Sequence, residues 1–191
     1  RENDNQPFSY FRFPNYDDND IESLRSVLDN YFNNNPYTQW FQSFEPLLNG
    51  LGCSYYNNIH TNRVLHTDIC SPIATSPTWT GLDNATQNAL SNIGREIWKD
   101  LVCYLKPDII IVSIAEGHLP LMGSLSPLED VHRITHTQDG RERANPYRLR
   151  LYELEVRENF KTKLIFGPAA QTPFGIISDD QKRECGEIIK E

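Results

Sequence analysis

Apolar side chains recur at helical spacing near the start of the chain. Residues 1–19 are polar and contain two prolines, so we predict an extended or loop segment there. Asp20 is a suitable N-cap, and apolar residues begin at Ile21 and repeat every three or four positions. A second apolar stripe, rich in aromatic residues, spans Trp40–Leu51. The two stripes together predict a helical pair over residues 20–52.

Capping residues mark two further helices. Asp83 can cap a long helix that Pro107 closes, and a capping-box pattern at Ser178 and Gln181 opens the last helix. The run Asp108–Ile114 is rich in β-branched residues, which is typical of a strand covered on both faces, as in a parallel sheet. The stripe of the long helix that we expect to be buried consists of Ala89, Leu90, Ile93, Ile97, Leu101 and Tyr104.

Further strands are predicted before and after this run. Arg63–Cys70 and the short Lys163–Phe166 are both predicted strands. Asp130–Thr137 and Arg148–Val156 flank a polar turn, and the alternation of the second segment slips at Leu151–Tyr152, which indicates a bulge. This order of elements predicts an α/β protein with one domain spanning the whole chain. We expect a three-layer sandwich with a central, mostly parallel, twisted sheet flanked by helices.

Three loops directly follow predicted strands, at Ser71–Trp79, Ala115–Leu119 and Gly167–Ile177. In open α/β sheets, ligands bind outside the carboxyl ends of the strands. We therefore expect the functional site to lie where these loops meet.

Composition narrows the class of protein. The chain has 191 residues, 38% hydrophobic and 23% charged, which excludes a disordered chain or a coiled coil. No apolar run is long enough to span a membrane, so we expect no membrane partner. The four cysteines show no metal-binding spacing, which favours reduced thiols and a cytoplasmic location over a disulfide or metal framework.

The charge is unevenly distributed. The net charge is −8, which argues against indiscriminate binding of nucleic acid. Residues 133–163 nevertheless contain eight of the 18 basic side chains against five acidic ones. This segment is either a solvated hairpin of alternating charge or an anion-binding face. In the second case, the expected nucleic-acid contacts are Arg141, Arg143, Arg148 and Arg150.

His66 and Asp68 lie at the end of a predicted strand and are two residues apart, so their side chains face the same side. An imidazole and a carboxylate in this arrangement could orient a substrate or contribute to a metal site. They could equally form a buried structural hydrogen bond. Both interpretations remain open, with His66 and Asp68 as the candidate catalytic residues.

The late loop Pro168–Gly175 joins a predicted strand to a capped helix. Its exposed backbone amides could bind a phosphate or a base edge, although a tight connecting turn explains the same pattern. The candidate substrate-binding residues of this loop are Gln171, Thr172, Pro173 and Phe174.

Other loop residues carry weaker signals. Glu116 and His118 could take part in acid–base chemistry or form a surface turn, and we keep Glu116 as a substrate-binding candidate. Thr78 and Trp79 are candidates of the same kind. Aromatic residues in loops can stack on an unpaired base, but they can also pack against the rim of the core. The aromatic residues in this position are Tyr55, Tyr56, Trp79 and Phe174.

The order of these segments resembles that of the uracil-DNA glycosylase superfamily. The resemblance is carried by the strand end His66–Pro72, the long helix, the strand Asp108–Ile114, and Leu164–Pro168 leading into Gln171–Phe174. It implies an α/β fold that recognises a nucleobase in DNA. In the family, an Asn reads the base, a late His-Pro-Ser loop grips the phosphate, and an early Gly-rich loop positions a water.

This chain departs from the family pattern at each of these places. The early loop would precede Arg1, and the cysteines lack the spacing of the iron–sulfur branch. Asp68 stands where the family has Asn, and Gln171 stands where it has the late His. Because a carboxylate only accepts hydrogen bonds whereas an amide also donates, the resemblance implies a changed base preference.

Three functions follow as hypotheses. The first is a glycosylase-like enzyme that flips a base and possesses N-glycosidic hydrolase activity, with no cofactor. The second is a non-catalytic module that binds a nucleotide or nucleic acid through Arg141–Arg150. The third is a metal-dependent hydrolase that uses His66 and Asp68. The expected partner is DNA in the first case, and DNA or a nucleobase or nucleotide ligand in the second.

Overall fold

The chain divides into two compact units, Arg1–Val64 with Lys182–Glu191 and Leu65–Gln181, and each is described by itself. Whether these two units together form the single domain that the sequence predicts is not tested by this division, so the single domain stays a prediction. The predicted loop at residues 1–19 lies outside the described residues. None of the described helices is long and apolar enough to cross a membrane. The computed structural model of the protein describes residues 20–34, 36–56, 60, 62–71, 75, 77–158 and 160–190.

The first unit contains short helices where a helical pair was expected. Asp20 caps the first helix as predicted, since its carboxylate accepts a hydrogen bond from the N–H of Glu22 at 3.0 Å. The second predicted helix is interrupted because Pro46 belongs to the first turn of a new helix, where its missing N–H is tolerated. The helices described between residues 20 and 56 are α1 (Ile21–Asp29), α2 (Tyr31–Asn34), α3 (Thr38–Gln42) and α4 (Glu45–Gly50).

Two short strands, β1 (Cys53–Ser54) and β2 (Asn62–Arg63), pair in parallel in this unit. The prediction of a strand over Arg63–Cys70 is therefore wrong for most of its length. Ile69 and Cys70 lie instead against a helix of the second unit, where the position that a Cβ on Gly94 would occupy is 3.0 Å from the carbonyl oxygen of Ile69.

That helix, α5 (Asn84–Leu105), is capped by Asp83, as predicted. It follows a 3-10 helix at Trp79–Gly81. A second 3-10 helix spans Glu116–Met122. The strands of this unit are β3 (Ile109–Val112), β4 (Ser124–His136), β5 (Glu142–Arg157) and β6 (Phe160–Phe166). The last helix, α6 (Asp179–Lys190), starts in the second unit and belongs to the first unit from Lys182 onward. Its start has the predicted reciprocal hydrogen bonds between Ser178 and Gln181.

The strands of the second unit form one mixed sheet in the order β3-β6-β5-β4. β3 and β6 are parallel, whereas β6–β5 and β5–β4 are antiparallel. The protein is therefore a mixed α/β structure, and the expected mostly parallel, three-layer sandwich is not confirmed. The predicted polar turn connects β4 and β5, which extend further than predicted and form a long hairpin that projects beyond the end of β6.

The buried face of α5 differs from the predicted stripe. The buried residues are Gly94, Trp98 and Val102, whereas Ile97 and Tyr104 of the predicted stripe are exposed. This corresponds to a rotation of the helix by one residue, or about 100°. The glycine permits close approach of the Ile69–Cys70 backbone, and Trp98 then fills the space over the sheet.

The predicted bulge lies opposite its expected place. The β5–β6 register is regular from Arg150 to Glu155, but the β4–β5 register shifts between Pro127 and Glu129, which face Tyr152 and Leu151. The slip in the hydrophobic alternation of β5 has another cause. The residues that are buried before Arg150 lie on one face of the sheet, and those buried after Leu151 lie on the other. Its buried residues are Tyr147, Leu149, Tyr152, Leu154 and Val156.

Candidate functional site

The loops after β3 and β6 leave the sheet side by side. The N–H of Gly167 donates to the carbonyl of Val112, and the N–H of Ala169 donates to the carbonyl of Ile114, both at 3.0 Å. Two of the three loops expected to form the site therefore meet at one edge. Four of the nine residues of the third, Ser71–Trp79, lie outside the described residues.

The late loop contributes fewer accessible side chains than predicted. Pro173 and Phe174 are fully buried, and Phe174, at a φ of 52°, donates its N–H to the hydroxyl of Ser113 at 2.8 Å. In this conformation neither side chain can contact a ligand, and Phe174 packs in the core. Gln171 is exposed and Thr172 is half-buried, so these two remain available.

Arg150 lies beside the end of β6. It lies on β5 opposite Phe166, the last residue of β6. Its guanidinium carbon is 4.9 Å from the centroid of the Phe166 ring and 6.0 Å from that of Tyr152. Nη2 lies 2.8 Å from a carboxylate oxygen of Glu116. The structure thus brings together Glu116 and Arg150, which the sequence offered as separate substrate-binding and nucleic-acid contacts.

The guanidinium of Arg150 is only partly satisfied. Its Nε is buried and has no hydrogen-bond partner among the described residues. A guanidinium offers five N–H donors in a planar fork that matches the oxygens of a carboxylate or a phosphate. The guanidinium carbon lies over the Phe166 ring, and this cation–π contact helps to hold the group in place. Because a buried, unpaired donor is unfavourable, this arrangement suits recognition of an oxyanion.

The other candidate arginines already have partners. Arg141 donates to Asp139 at 2.6 Å within the hairpin turn. Arg143 donates to the carbonyls of His136 and Ile176, both at 3.0 Å, and so ties the hairpin to the late loop. A shallow cleft of about 750 Å³ lies between these two segments and is lined in part by Arg141 and Arg143. Both guanidinium groups are therefore engaged in hydrogen bonds within the protein.

Arg148 is bound more loosely. Its guanidinium is 3.9 Å from the carboxylate of Asp130, and about half of its side chain is exposed. It lies two residues before Arg150 on β5, so both side chains point to the same face of the sheet. Arg148 is thus available to add positive charge near Arg150.

The His66–Asp68 segment is anchored to α5 rather than to the sheet. The indole N–H of Trp98 donates to the hydroxyl of Thr67 at 3.2 Å. Asp68 is exposed, and its carboxylate accepts the N–H of Cys70 at 2.9 Å. Burial lowers the pKa of His66, and the nearby Asp68 carboxylate partly opposes that shift. The segment therefore presents an exposed carboxylate next to a half-buried imidazole.

The remaining candidates are placed as follows. Thr78 is exposed and Trp79 is half-buried, with its carbonyl accepting from the side chain of Gln87 at 2.8 Å. Tyr55 and Tyr56 belong to the other compact unit, where Tyr55 stacks on Phe32 at 5.1 Å between ring centroids. These two tyrosines are therefore packing residues of an aromatic cluster rather than a platform for an unpaired base.

A metal site receives no support in the described part of the chain, where no group of three or more His, Cys, Asp or Glu side chains could hold an ion. All four cysteines are free thiols. Cys185 is fully buried, and burial raises its pKa to about 12.

The residue that sequence reasoning missed is Phe166. It was predicted only as the end of a short strand, and its role beneath Arg150 depends on the pairing of β5 with β6, for which the sequence carries no local signal. No protein-family model, curated protein or solved structure matches the chain.

Proposed function

We propose that this protein binds a nucleotide or nucleic acid at the edge where β3 and β6 end, and that Arg150 contacts a phosphate of the ligand. One observation carries the proposal: the guanidinium stacks on Phe166 at the carboxyl end of β6 and keeps a buried Nε without a hydrogen-bond partner among the described residues. A bidentate contact with a phosphate would satisfy that donor.

The surroundings of Arg150 support an anionic ligand. Arg148 lies on the same face of β5, and Gln171 is exposed in the adjacent loop, where its amide can both donate and accept. The net charge of −8 gives little general attraction for a polyanion. Binding would therefore depend on a few placed arginines, and it should be specific to this edge rather than spread over the surface.

The resemblance to the uracil-DNA glycosylase superfamily supports nucleic acid as the ligand class and gives a second candidate function, base excision. The observation that favours it is Asp68, which is exposed and held in place by the N–H of Cys70 on a segment anchored by Trp98. A carboxylate accepts hydrogen bonds, so Asp68 would select a base edge that donates, such as an exocyclic amino group. The three-layer sandwich with a mostly parallel sheet is the fold that we would expect to accompany this second function.

The first proposal is tested by binding measurements on Arg150→Gln. Fluorescence anisotropy with a labelled single-stranded oligonucleotide, and calorimetry with a nucleoside monophosphate, would be compared with the wild type. We expect affinity to fall by about tenfold or more, because a charge-assisted hydrogen bond is lost. Arg157→Gln is the matched control, since it removes the same charge near the far end of β5, where Arg157 pairs with Asp100. Equal affinity of Arg150→Gln and wild type, or no binding by the wild type, would refute the proposal.

Base excision is tested separately with oligonucleotides that carry one altered or mismatched base. Alkali cleavage of abasic sites reports the product. We expect Asp68→Asn to change which base is released while thermal stability is retained, because Asp68 is exposed. Absence of product from every base, or an unaltered profile in Asp68→Asn, would contradict this function without affecting the binding proposal.

A further inference from the structure

The edge of the Arg150 guanidinium that carries Nε and Nη2 is partly covered by the protein's own Glu116. One carboxylate oxygen of Glu116 lies 2.8 Å from Nη2 of Arg150, while Nε on the same edge of the guanidinium has no partner among the described residues. A carboxylate bound in the usual fork geometry would engage two N–H groups at once. Glu116 therefore contacts one N–H group of the guanidinium, although Nε and Nη2 together could bind two oxygens of one anion.

We propose that Glu116 is an internal competitor whose carboxylate occupies the position of the ligand's phosphate and is displaced when the phosphate binds. This inference rests on the proposed function and adds a regulatory contact to it. In the bound state, two oxygens of one phosphate would accept from Nε and Nη2, and the Glu116 side chain would turn into solvent. The same chemistry recognises the phosphate of a free nucleotide and that of a nucleic-acid backbone.

The position of Glu116 allows this displacement at low cost. Its side chain is 64% exposed, whereas that of Arg150 is 25% exposed. Ion pairs with so exposed a partner contribute little to stability. The 3-10 helix that carries Glu116 is fixed at its other end by the buried Leu119 and Met122. Gly117, the next residue, has open space around it. Rotation of the Glu116 side chain would therefore release Nη2 of Arg150, and the helix need not leave the core.

The charges around Arg150 fit a competition between anions. Asp130 pairs in register with Arg150 on the adjacent strand, but its carboxylate lies near Arg148 and Arg133, at 3.9 and 3.8 Å. Glu116 is thus the acidic side chain that forms an ion pair with Arg150 among the described residues. Removal of Glu116 should free the guanidinium, whereas removal of Asp130 should change only the local charge.

The test measures the affinity of Glu116→Gln for inorganic phosphate, a nucleoside monophosphate and a single-stranded oligonucleotide. We expect affinity at least about fivefold higher than that of the wild type for the phosphate source that the site takes, and the three arms distinguish a free phosphate from a backbone one. Asp130→Asn is the control for the lost charge, and we expect it to change affinity less than about twofold. Glu116→Asp, which keeps the charge but shortens the reach, should give an intermediate affinity.

A second readout reports the contact itself. In nuclear magnetic resonance spectra, the Nε–H signal of Arg150 should shift on addition of phosphate, and at lower phosphate concentration in Glu116→Gln than in the wild type. The double variant with Arg150→Gln should bind as weakly as Arg150→Gln alone.

The outcomes separate the two proposals. If the wild type binds and Arg150→Gln does not, but Glu116→Gln binds no more tightly than the wild type, the competitor inference is wrong and the proposed function stands. An equal gain in Asp130→Asn and Glu116→Gln would also overturn the inference, because charge alone would explain it. If neither the wild type nor Glu116→Gln binds any of the three probes, both proposals fail.

Discussion

Replacing Val102 by alanine should destabilise the protein much more than replacing Tyr104, two residues further along α5, by alanine. Val102 is 6% exposed and belongs to the core cluster formed with Trp98, Leu154 and Phe166. Tyr104 is 84% exposed. The hydrophobic pattern of the sequence favours the opposite result, since it places Tyr104 on the buried stripe.

The size of the effect follows from the atoms removed. Val102→Ala removes two methyl groups from the core, worth roughly 1.6 kcal/mol at about 0.8 kcal/mol each, and the cavity left behind adds to this. The higher helix propensity of alanine offsets up to about 0.6 kcal/mol of this loss in the free energy of unfolding. We therefore expect a net loss of about 1–2.5 kcal/mol. Tyr104→Ala removes little buried surface and gains helix propensity, so its effect should lie within about 0.5 kcal/mol of zero.

Thermal unfolding followed by far-ultraviolet circular dichroism measures both variants. For a chain of this size, 1 kcal/mol corresponds to a shift in Tm of about 2–4 °C, so Val102→Ala should melt roughly 2–10 °C below the wild type. Tyr104→Ala should melt within about 2 °C of it. A loss of stability in Tyr104→Ala that equals or exceeds the loss in Val102→Ala would show that α5 buries the other face.

Three further results are expected. Burial lowers the pKa of His66, so folding is favoured by the neutral imidazole above about pH 6.5, and this stabilisation is lost as the pH falls through the lowered native pKa. As the pH is lowered, Tm should therefore fall less steeply in His66→Asn than in the wild type. Parallel curves of Tm against pH for the two proteins would contradict this. Gly186→Ala should lower stability by about 1–3 kcal/mol in urea unfolding, because the added Cβ would lie 2.1 Å from the carbonyl oxygen of Leu47, whereas Gly117→Ala, with open space around it, should not. Cys185, whose pKa burial raises to about 12, should react with a thiol reagent at mildly alkaline pH only after unfolding, as mass spectrometry of the labelled native protein would check.

Local patterns predicted the ends of several elements correctly. Asp20 and Asp83 cap the helices that follow them, and Ser178 and Gln181 form the expected capping box. Gly140, in the predicted turn, has a φ of 80°. These features depend on residues within three or four positions of one another, so the sequence contains most of the information that determines them.

Features that depend on distant partners were predicted less well. The orientation of α5 is determined by contact of Gly94 with the Ile69–Cys70 backbone, and hydrophobic periodicity does not record that contact. The sheet is mixed because β5 returns between β4 and β6, and the β-branched run of β3 gives no indication of which strand will pair with it. Arg150 and Glu116 were each candidates, but their contact joins residues 34 positions apart.

The candidate site and the core depend on the same strand register. β5 buries Leu149 on one face of the sheet and Leu154 on the other, and Arg150 lies between them, opposite the point where β6 ends. A slip of one residue would turn Arg150 to the opposite face and expose both leucines. The burial of those leucines fixes the register of β5 and therefore keeps the guanidinium over Phe166. The proposed ligand contact contributes little to the stability of the fold. We therefore expect Arg150→Gln to keep the fold, whereas substitutions at Leu149 or Leu154 should impair stability and the proposed phosphate binding together.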